Sequence, residues 1–532
     1  MTTSSQVVLV RQSTGLVRSL GFLDQFIISQ SIIIFLNSFV LTSLYAPIFF
    51  PGANLTVVFA LGSIPAFAMA AVYSIMSAAI PRSGGDYVWS TRILGPFYGS
   101  VQFVLVLVTA VIGGLAYPTY YAISIALSQL AFSLGVTTGN TSLIGAASSF
   151  SDPNTAFAIS LVIIAISTAV ALLGLRVFSS FQRVGTLFFL VVAATFIVLL
   201  LIIKPSSIPG LFNNAMSAAG SNATYSGIIQ QAGVSSNFNW TNTLLASIPW
   251  GFLAFTGFNY GSYLSGETRN VKSSMPRALF LSVAVATLLM VLMSALSYND
   301  FGVQFLNSVS YVEANNGGSL PTLLTTSLLV SLIHPAVAAF IGVGLFVGFV
   351  IVSISYLVTI SRLLFAASFD RLLPTRIADV NDRFHSPIFA VSLLSALWVI
   401  VTAILWYGGF ISTLLNTSLI APIGYTLPMI ATLVFYWRKK DLFRKTVSSV
   451  AAKPATLILS SVVGIAAFLF YIFAETFPII SGTFLGASLS LAYELVVVFF
   501  IIGALIYGGA RLRLRAAFGG ELSRIYGEIP PE

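Results

Sequence analysis

The side chains that enzymes use for covalent, acid–base or metal chemistry are scarce in this sequence. Its 532 residues include no cysteine, two histidines and 15 acidic residues. The long apolar segments contain no cluster of His, Asp or Glu; Asp24 and Glu494 lie near segment ends. No G-x-x-x-x-G-K-[ST] motif is present, so ATP is not predicted to act directly. These features predict a protein that is not an enzyme and has no cofactor.

Hydroxyl and amide side chains, which bind small molecules and ions, are instead concentrated in two apolar segments. The stretch "PWGFLAFTGFNYGSYLSGETRN" (249–270) combines a proline and four glycines with polar residues. The segment 20–45 is the other polar one, and it contains Gln25, Ser29, Gln30, Ser31, Asn37, Ser38, Thr42 and Ser43. Such side chains predict a binding site between two segments.

The composition is that of a chain embedded in a membrane. Hydrophobic residues make up 57% of the sequence, charged residues make up 7%, and the mean hydropathy is +0.97. A soluble domain carries about 25% charged residues. Because this chain could not cover a water-facing surface, we expect an all-α polytopic membrane protein with lipid around it.

Twelve segments are long and apolar enough to cross a bilayer, which takes about 20 residues each. We number them span 1 to span 12: 20–45, 55–80, 97–131, 155–175, 181–203, 243–264, 278–298, 335–366, 387–408, 411–437, 454–474 and 489–510. Spans 3 and 8 are the longest. The outer connections 204–242 and 299–333 are rich in small polar residues and are predicted to be solvated loops.

Basic residues lie almost entirely on one side of this arrangement. Of the 24 lysines and arginines, 23 fall on the side of the two termini, and Lys204 falls opposite. The positive-inside rule therefore predicts cytoplasmic termini in a multi-pass protein of the plasma membrane. The net charge of +9 is therefore explained by the orientation of the chain in the membrane. No nucleic-acid partner is expected, and no protein partner is evident.

Spans 1–5 and 6–10 are predicted to be an inverted repeat. Five is an odd number, so the second set enters the membrane from the opposite side, and each set has its long helix in third position. We assign one transporter domain to 15–515, with repeats at 20–203 and 243–437, two further helices within 454–510, and cytoplasmic tails at 1–14 and 516–532. Transporters of this design break their first and sixth helices at the midplane.

Span 6 is predicted to break at 254–257. Gly257 has no Cβ to restrict its φ angle, and it lies near the midplane between Phe255 and Phe258. Irregular backbone at that depth is tolerated where it lines a cavity. Close helix packing is the alternative explanation for a membrane glycine, and it is preferred for Gly251 and Gly261.

Three motifs resemble those of the amino acid–polyamine–organocation permeases. "AFTGFNYGSYLSGETRNVKSSMPRAL" (254–279) resembles their sixth-helix signature, although Val271 replaces the usual proline. "IPRSGGDYVWSTRILGP" (80–96) is similar to their first inner loop. "SRLLFAASFDRLLPTRIADVNDRFHSPIFA" (361–390) is similar to the loop after helix eight, with Arg371 where glycine is usual. The resemblance implies a LeuT-like 5+5 inverted-repeat fold plus two C-terminal helices, and amino acid transport.

The resemblance also implies a substrate site at the two helix breaks. Helix one of the family usually breaks at G-x-G, whereas this sequence has Phe35-Leu-Asn-Ser38 there. Donors from side chains could then replace backbone amides. The expected substrate-binding residues are Asn37, Ser38, Ala254, Phe255, Thr256, Gly257 and Tyr356.

Ion coupling and gating are predicted from the remaining polar groups. Span 5 lacks the lysine of some relatives, and Asn259 stands where another relative has glutamate. These differences favour sodium coupling or uncoupled exchange over proton symport, with both ions left open. The candidate residues are Ser353, Ser355 and Thr359 for sodium, Asp24 for a proton, and Asp86 and Glu267 with loop arginines for the inner gate.

Three classes of function were compared. A channel would show charged rings or a carbonyl filter motif, and neither is present. A membrane enzyme would need clustered ionisable groups in the bilayer. A secondary transporter that moves amino acids by alternating access fits best, with a neutral amino acid as substrate because the predicted midplane has no charge. A polyamine or other organocation transporter of the same fold is the alternative.

Overall fold

The computed structural model describes residues 18–234, 237–315, 320–381, 383–384, 386–409, 417, 419–449, 453–480 and 489–518. Helices dominate this part of the chain. Leu20 and Thr268 form an isolated β-bridge, and none of the described residues belongs to a β-sheet. The all-α prediction is confirmed.

Among the described residues, eleven helices are long and apolar enough to cross a membrane. They are Phe22–Phe49, Leu55–Ala79, Pro96–Thr138, Pro153–Leu172, Leu175–Ile202, Val271–Phe301, Pro335–Phe369, Ile388–Gly408, Ile420–Arg438, Pro454–Thr476 and Leu491–Ala516. They correspond to all predicted spans except span 6. Span 6 is absent from this set because its backbone is divided into short pieces, as described below.

Spans 3 and 8 are the longest, as predicted, at 43 and 35 residues. Span 3 is not a regular α-helix, because it widens into π-helical turns at Ala110–Ala116 and Ala122–Leu127. Such turns are frequent at functional sites. Both lie on the part of span 3 that contacts span 8.

Two groups of spans pack around the centre. Spans 1, 2, 6 and 7 contact one another, and spans 3, 4, 8 and 9 form the second group. Spans 1 and 8 connect the groups, and span 5 packs along span 8. Small residues permit close approach, since a Cβ at Gly62 of span 2 would lie 2.2 Å from the backbone of Gly251 in span 6. This contact supports the packing role predicted for Gly251.

The outer connections contain helices, which corrects the prediction of plain loops. The helices are Ile208–Ala218, Tyr225–Ala232, Val303–Asn315 and Thr326–Ser331. The Tyr225 and Phe305 rings stack with centroids 4.0 Å apart, and Phe212 packs edge-on against Phe305. The many Ser, Asn and Gly residues obscured these few aromatic contacts, which supply the tertiary packing that short helices need.

Two inner connections are also helical, at Asp86–Ile93 and Lys440–Ser449. The helix of span 10 in the described residues is Ile420–Arg438, and the predicted start at 411 lies outside them. Most of the preceding segment, 410–416 and residue 418, lies outside the described residues.

Candidate substrate cavity

Span 1 is interrupted at Ile34, which has left-handed backbone angles (φ 38°, ψ 57°). The first helix closes with the Ile34 N–H donating to the Gln30 carbonyl at 2.9 Å. A left-handed residue with a branched Cβ costs roughly 1–2 kcal/mol and is a genuine outlier. The second helix begins at Phe35, so the first-turn N–H groups of Phe35, Leu36 and Asn37 have no intrahelical acceptor. This helix end attracts negative charge.

Span 6 separates at Thr256 and Gly257, inside the stretch predicted to break. A π-helical turn, Ser247–Phe252, is followed by a 3-10 turn, Leu253–Phe255. Thr256 is then extended, with ψ 148°, and Gly257 has φ 98°. The chain continues as a 3-10 helix, Phe258–Glu267, which we call the inner segment of span 6. The Leu253 carbonyl accepts from the Thr256 N–H at 3.0 Å and from Thr256 Oγ1 at 2.7 Å. The carbonyls of Ala254 and Phe255 lie at the broken helix end and carry negative partial charge.

Glycine is required at 257 by both conformation and space. A φ of 98° is left-handed, and a Cβ at Gly257 would lie 2.2 Å from Ile32 Cγ2 and 2.3 Å from Tyr356 Oη. A Cβ at Gly114 of span 3 would lie 2.1 Å from the Tyr356 ring. Tyr356 therefore occupies a slot between two glycines, and its ring also contacts Tyr260 at a centroid distance of 5.0 Å.

A cavity of about 200 Å³ lies between the two breaks. Its size suits one small molecule, since drug-sized pockets are about 300–1,000 Å³. Among the described residues, those that line the cavity include no Asp, Glu, Lys, Arg or His. The aromatic ones are Tyr45, Tyr117, Tyr121, Trp250, Phe349, Tyr356, Tyr425 and Tyr471, and the hydroxyl-bearing ones besides tyrosine are Ser38, Thr42, Thr109, Thr256 and Thr417.

The predicted substrate residues divide into two groups. Ser38, Ala254, Thr256 and Tyr356 line the cavity. Asn37, Phe255 and Gly257 are not among its lining residues. The Asn37 amide instead donates to the Leu345 carbonyl of span 8 at 2.8 Å, and the Phe255 side chain is fully buried. In this conformation Gly257 shapes the cavity through the position of Tyr356.

The three hydroxyls predicted for sodium are all buried, and they have different partners. Ser353 donates to the Phe349 carbonyl at 3.1 Å, and Thr359 donates to the Ser355 carbonyl at 2.8 Å. Such bonds to the preceding turn are the ordinary behaviour of hydroxyls in membrane helices. Ser355 differs, because its Oγ lies 2.7 Å from Ser31 Oγ of span 1. It is the member of the set that joins the two helices.

Asp24, predicted as a proton carrier, lies in an ion pair at the start of span 1. It accepts from Arg183 Nε at 3.0 Å, from Ser179 Oγ at 2.9 Å and from the Gly21 N–H at 3.0 Å. The Arg183 side chain is 50% exposed, so water reaches the pair. These donors favour the charged carboxylate.

Glu267 is held in a buried ion pair at the inner end of span 6. Arg362 of span 8 donates to both Glu267 oxygens, at 2.9 Å and 3.2 Å, and both side chains are 2% exposed. Gln25 of span 1 donates to the adjacent Thr268 hydroxyl at 2.6 Å. These bonds tie the inner segment of span 6 to spans 1 and 8, the location expected of an inner gate.

Asp86 has two tyrosine partners rather than the arginine predicted for it. The hydroxyls of Tyr73 and Tyr263 each donate to one of its carboxylate oxygens, and the residue is fully buried. Burial raises the pKa of Asp86 to about 6, although the hydrogen bonds oppose the shift. A second ion pair nearby, Arg92 with Asp370, is bidentate at 2.9 Å and 2.6 Å.

The family model described as amino acid permease matches residues 20–507. The chain belongs to the amino acid permease family. The permease is 26% identical over 379 residues to the Asc-type amino acid transporter 1 of Homo sapiens, which covers 70% of this chain and 62% of that protein. The chain thus spans less than two thirds of the length of that relative.

Two other relatives extend the comparison. The permease is 25% identical over 458 residues to the methylthioribose transporter of Bacillus subtilis (strain 168), covering 85% of this chain and 87% of that protein. It is 26% identical over 200 residues to the large neutral amino acids transporter small subunit 2 of Oryctolagus cuniculus, covering 36% and 33%. All three relatives are named as transporters, and the resemblance of the motifs is confirmed.

Most of the aromatic wall of the permease was not predicted from the sequence; Tyr356 was expected at the site, and Tyr117 was considered for the path although helix packing was preferred for it. Tyr45, Tyr121 and Trp250 come from three different spans, and their rings meet at centroid distances of 6.1 Å. Aromatic residues are ordinary in membrane helices, so composition gave no signal. A usable signal was present in span 3, where three tyrosines lie within five residues, 117–121.

Proposed function

We propose that the permease is a secondary active transporter of small neutral amino acids that works by alternating access. The observation that carries the proposal is a cavity between two broken helices, whose lining in the described part of the chain includes no charged side chain. An uncompensated charge in such surroundings costs several kcal/mol. A substrate side chain without charge is therefore favoured over lysine, arginine or glutamate.

The two helix breaks provide partners for the charged groups that every amino acid carries. The N–H groups at the start of the second helix of span 1, Phe35–Phe49, suit a carboxylate. The carbonyls of Ala254 and Phe255, at the end of the outer part of span 6, suit an ammonium group. In this proposal backbone groups bind the two ends of the substrate, and Tyr356 and the other aromatic residues contact its side chain.

The conformational cycle would involve the contacts at the inner end. The Glu267–Arg362 pair and the Gln25–Thr268 bond close the path from the cavity to that side. If these two contacts broke and the inner segment of span 6 moved, the path from the cavity to the inner side would open. We further propose that this side is cytoplasmic and that the permease resides in the plasma membrane, because basic residues concentrate on that side.

A transport panel tests the proposal. Purified permease in liposomes is given labelled neutral, cationic and anionic amino acids, with a polyamine and methylthioribose as further arms. We expect uptake of neutral amino acids, inhibited by excess unlabelled substrate and absent from liposomes without protein. Preference for lysine, arginine, glutamate or a polyamine would contradict the neutral assignment. If methylthioribose were the one compound taken up, the substrate would be a neutral molecule other than an amino acid.

A further inference from the structure

Asp86 lies at a junction between parts of the molecule that alternating access would separate. It begins the inner helix Asp86–Ile93, which packs on spans 3 and 10. Its two hydrogen-bond donors belong to the other group of spans, with Tyr73 on span 2 and Tyr263 on the inner segment of span 6. Opening of the inner side would therefore pull Tyr263 away and admit water to the carboxylate.

The turn before Asp86 is built for this contact. Gly84 and Gly85 have φ angles of 98° and 50°, and the Gly84 N–H donates to the Tyr263 carbonyl at 3.2 Å. A Cβ at Gly85 would lie 3.0 Å from both Ser262 Oγ and the Tyr263 ring. The two glycines thus let the inner segment of span 6 lie directly against the carboxylate, which excludes solvent from it.

A chain of tyrosines leads from the cavity toward this carboxylate. Tyr425 lines the cavity, and its hydroxyl lies 3.0 Å from that of Tyr260. The Tyr260 ring packs against the Tyr263 ring at 5.1 Å, and the Tyr263 hydroxyl donates to Asp86. Ser262, which lies between Tyr260 and Tyr263 in sequence, has a buried Oγ that makes no hydrogen bond to any described residue. One hydroxyl–hydroxyl contact, one ring contact and one hydrogen bond thus connect the substrate cavity to Asp86.

Two of the arginines near Asp86 are paired with other carboxylates, and a third bonds to a backbone carbonyl. Arg92, on the same helix, is paired with Asp370, and Arg362 of span 8 is paired with Glu267. Arg438 of span 10 donates to the Ile93 carbonyl at 2.7 Å. The titratable groups that face Asp86 from the packed elements are Tyr73, Tyr260, Tyr263 and Tyr425, with Arg82 on its own loop. Its hydrogen-bonded partners are therefore neutral hydroxyls.

We propose that Asp86 is a proton-binding site that couples substrate transport to an inward proton gradient. The inference rests on the proposed transport function and adds the coupling ion to it. With the inner side closed, a proton that reaches Asp86 from the cavity forms an O–H bond on its carboxylate. When the inner side opens, the hydrated carboxylic acid releases that proton to water. The proton thus crosses in the same direction as the substrate.

The sign of this coupling follows from burial. The pKa of Asp86 is about 6 in the closed structure, compared with an ordinary 3.8 in water. A difference of about two pKa units is about a 100-fold higher proton affinity in the closed state. Protonation therefore stabilises the closed state below the closed-state pKa, and opening releases the proton at neutral pH.

The test measures labelled uptake in liposomes with and without an inward proton gradient, together with the internal pH. For the wild type we expect gradient-stimulated accumulation and internal acidification on adding substrate. For Asp86→Asn we expect the ratio of uptake with and without the gradient to fall to unity. Asp152→Asn, at an exposed helix start, is the matched control and should keep the wild-type ratio.

A second variant covers the case in which Asp86→Asn does not insert. Tyr263→Phe keeps the carboxylate and removes one donor that favours its charged form, so the pH midpoint of uptake should rise by about one pH unit. An unchanged midpoint, or gradient-driven accumulation by Asp86→Asn, would overturn the proton site. Exchange of labelled for unlabelled substrate without any gradient tests transport separately. If the wild type does not exchange labelled for unlabelled substrate either, the proposed transport function is wrong, and the experiment says nothing against Asp86 in particular.

Discussion

A single methyl group at residue 257 should disable the permease. In Gly257→Ala the new Cβ would lie 2.2 Å from Ile32 Cγ2 and 2.3 Å from Tyr356 Oη, both more than 1 Å inside normal contact. The left-handed φ of 98° adds roughly 1–2 kcal/mol for any residue with a Cβ. Overpacking adds about 1–3 kcal/mol. The total of about 2–5 kcal/mol falls on the conformation in which Tyr356 lies against Gly257.

Such a penalty reduces the population of the binding-competent state. Because about 1.4 kcal/mol corresponds to a factor of ten, we expect uptake to fall by about 30-fold or more. The assay is labelled neutral amino acid uptake into liposomes at equal amounts of inserted protein. Gly508→Ala is the matched control, since its Cβ meets no atom within 4 Å and its φ is not left-handed. Near-normal uptake by correctly inserted Gly257→Ala or Gly257→Leu would refute the broken-helix site.

Three other substitutions follow from the contacts. Glu267→Gln leaves the Arg362 guanidinium buried without its charge partner, so stability should fall by about 3–5 kcal/mol, seen as a lower melting temperature in detergent. Asp24→Asn should lower the stability far less, by about 0–1 kcal/mol, because Arg183 is half exposed. An equal loss of stability in the two variants would contradict the argument from burial. Tyr356→Phe keeps the ring and removes the hydroxyl, so the KM for a neutral amino acid should rise about threefold to tenfold, and an unchanged KM would exclude a substrate bond to that hydroxyl.

Much of the fold was predictable because bilayer physics leaves few choices. Apolar length gave the spans, and the odd number of spans per repeat gave the inverted arrangement. The break in span 6 was predictable to within a few residues because Gly257 marks it. The break in span 1 was harder to place, since Ile34 is a residue that local preference would keep helical, and surrounding packing holds it at positive φ.

The side-chain assignments were less predictable, because direction depends on packing. Asn37 and Ser38 are neighbours, yet the Asn37 amide bonds to span 8 while Ser38 lines the cavity. Asp86 was assigned to an ion-pair gate because arginines are near it in sequence. The tyrosines that contact it are 13 and 177 residues away along the chain, and no local pattern links them.

The central claim is that substrate occupies the cavity between the two helix breaks, and a cysteine-protection measurement tests it most directly. The chain has no cysteine, so Thr256→Cys introduces a single thiol into the cavity lining without further engineering. We predict that a transported neutral amino acid slows the reaction of this thiol with a small maleimide in a concentration-dependent way. Lysine and glutamate should not, and labelling of Ser148→Cys, on an exposed outer helix, should not respond to any of them. If a transported amino acid leaves the Thr256→Cys labelling rate unchanged, the substrate binds elsewhere and the account is wrong.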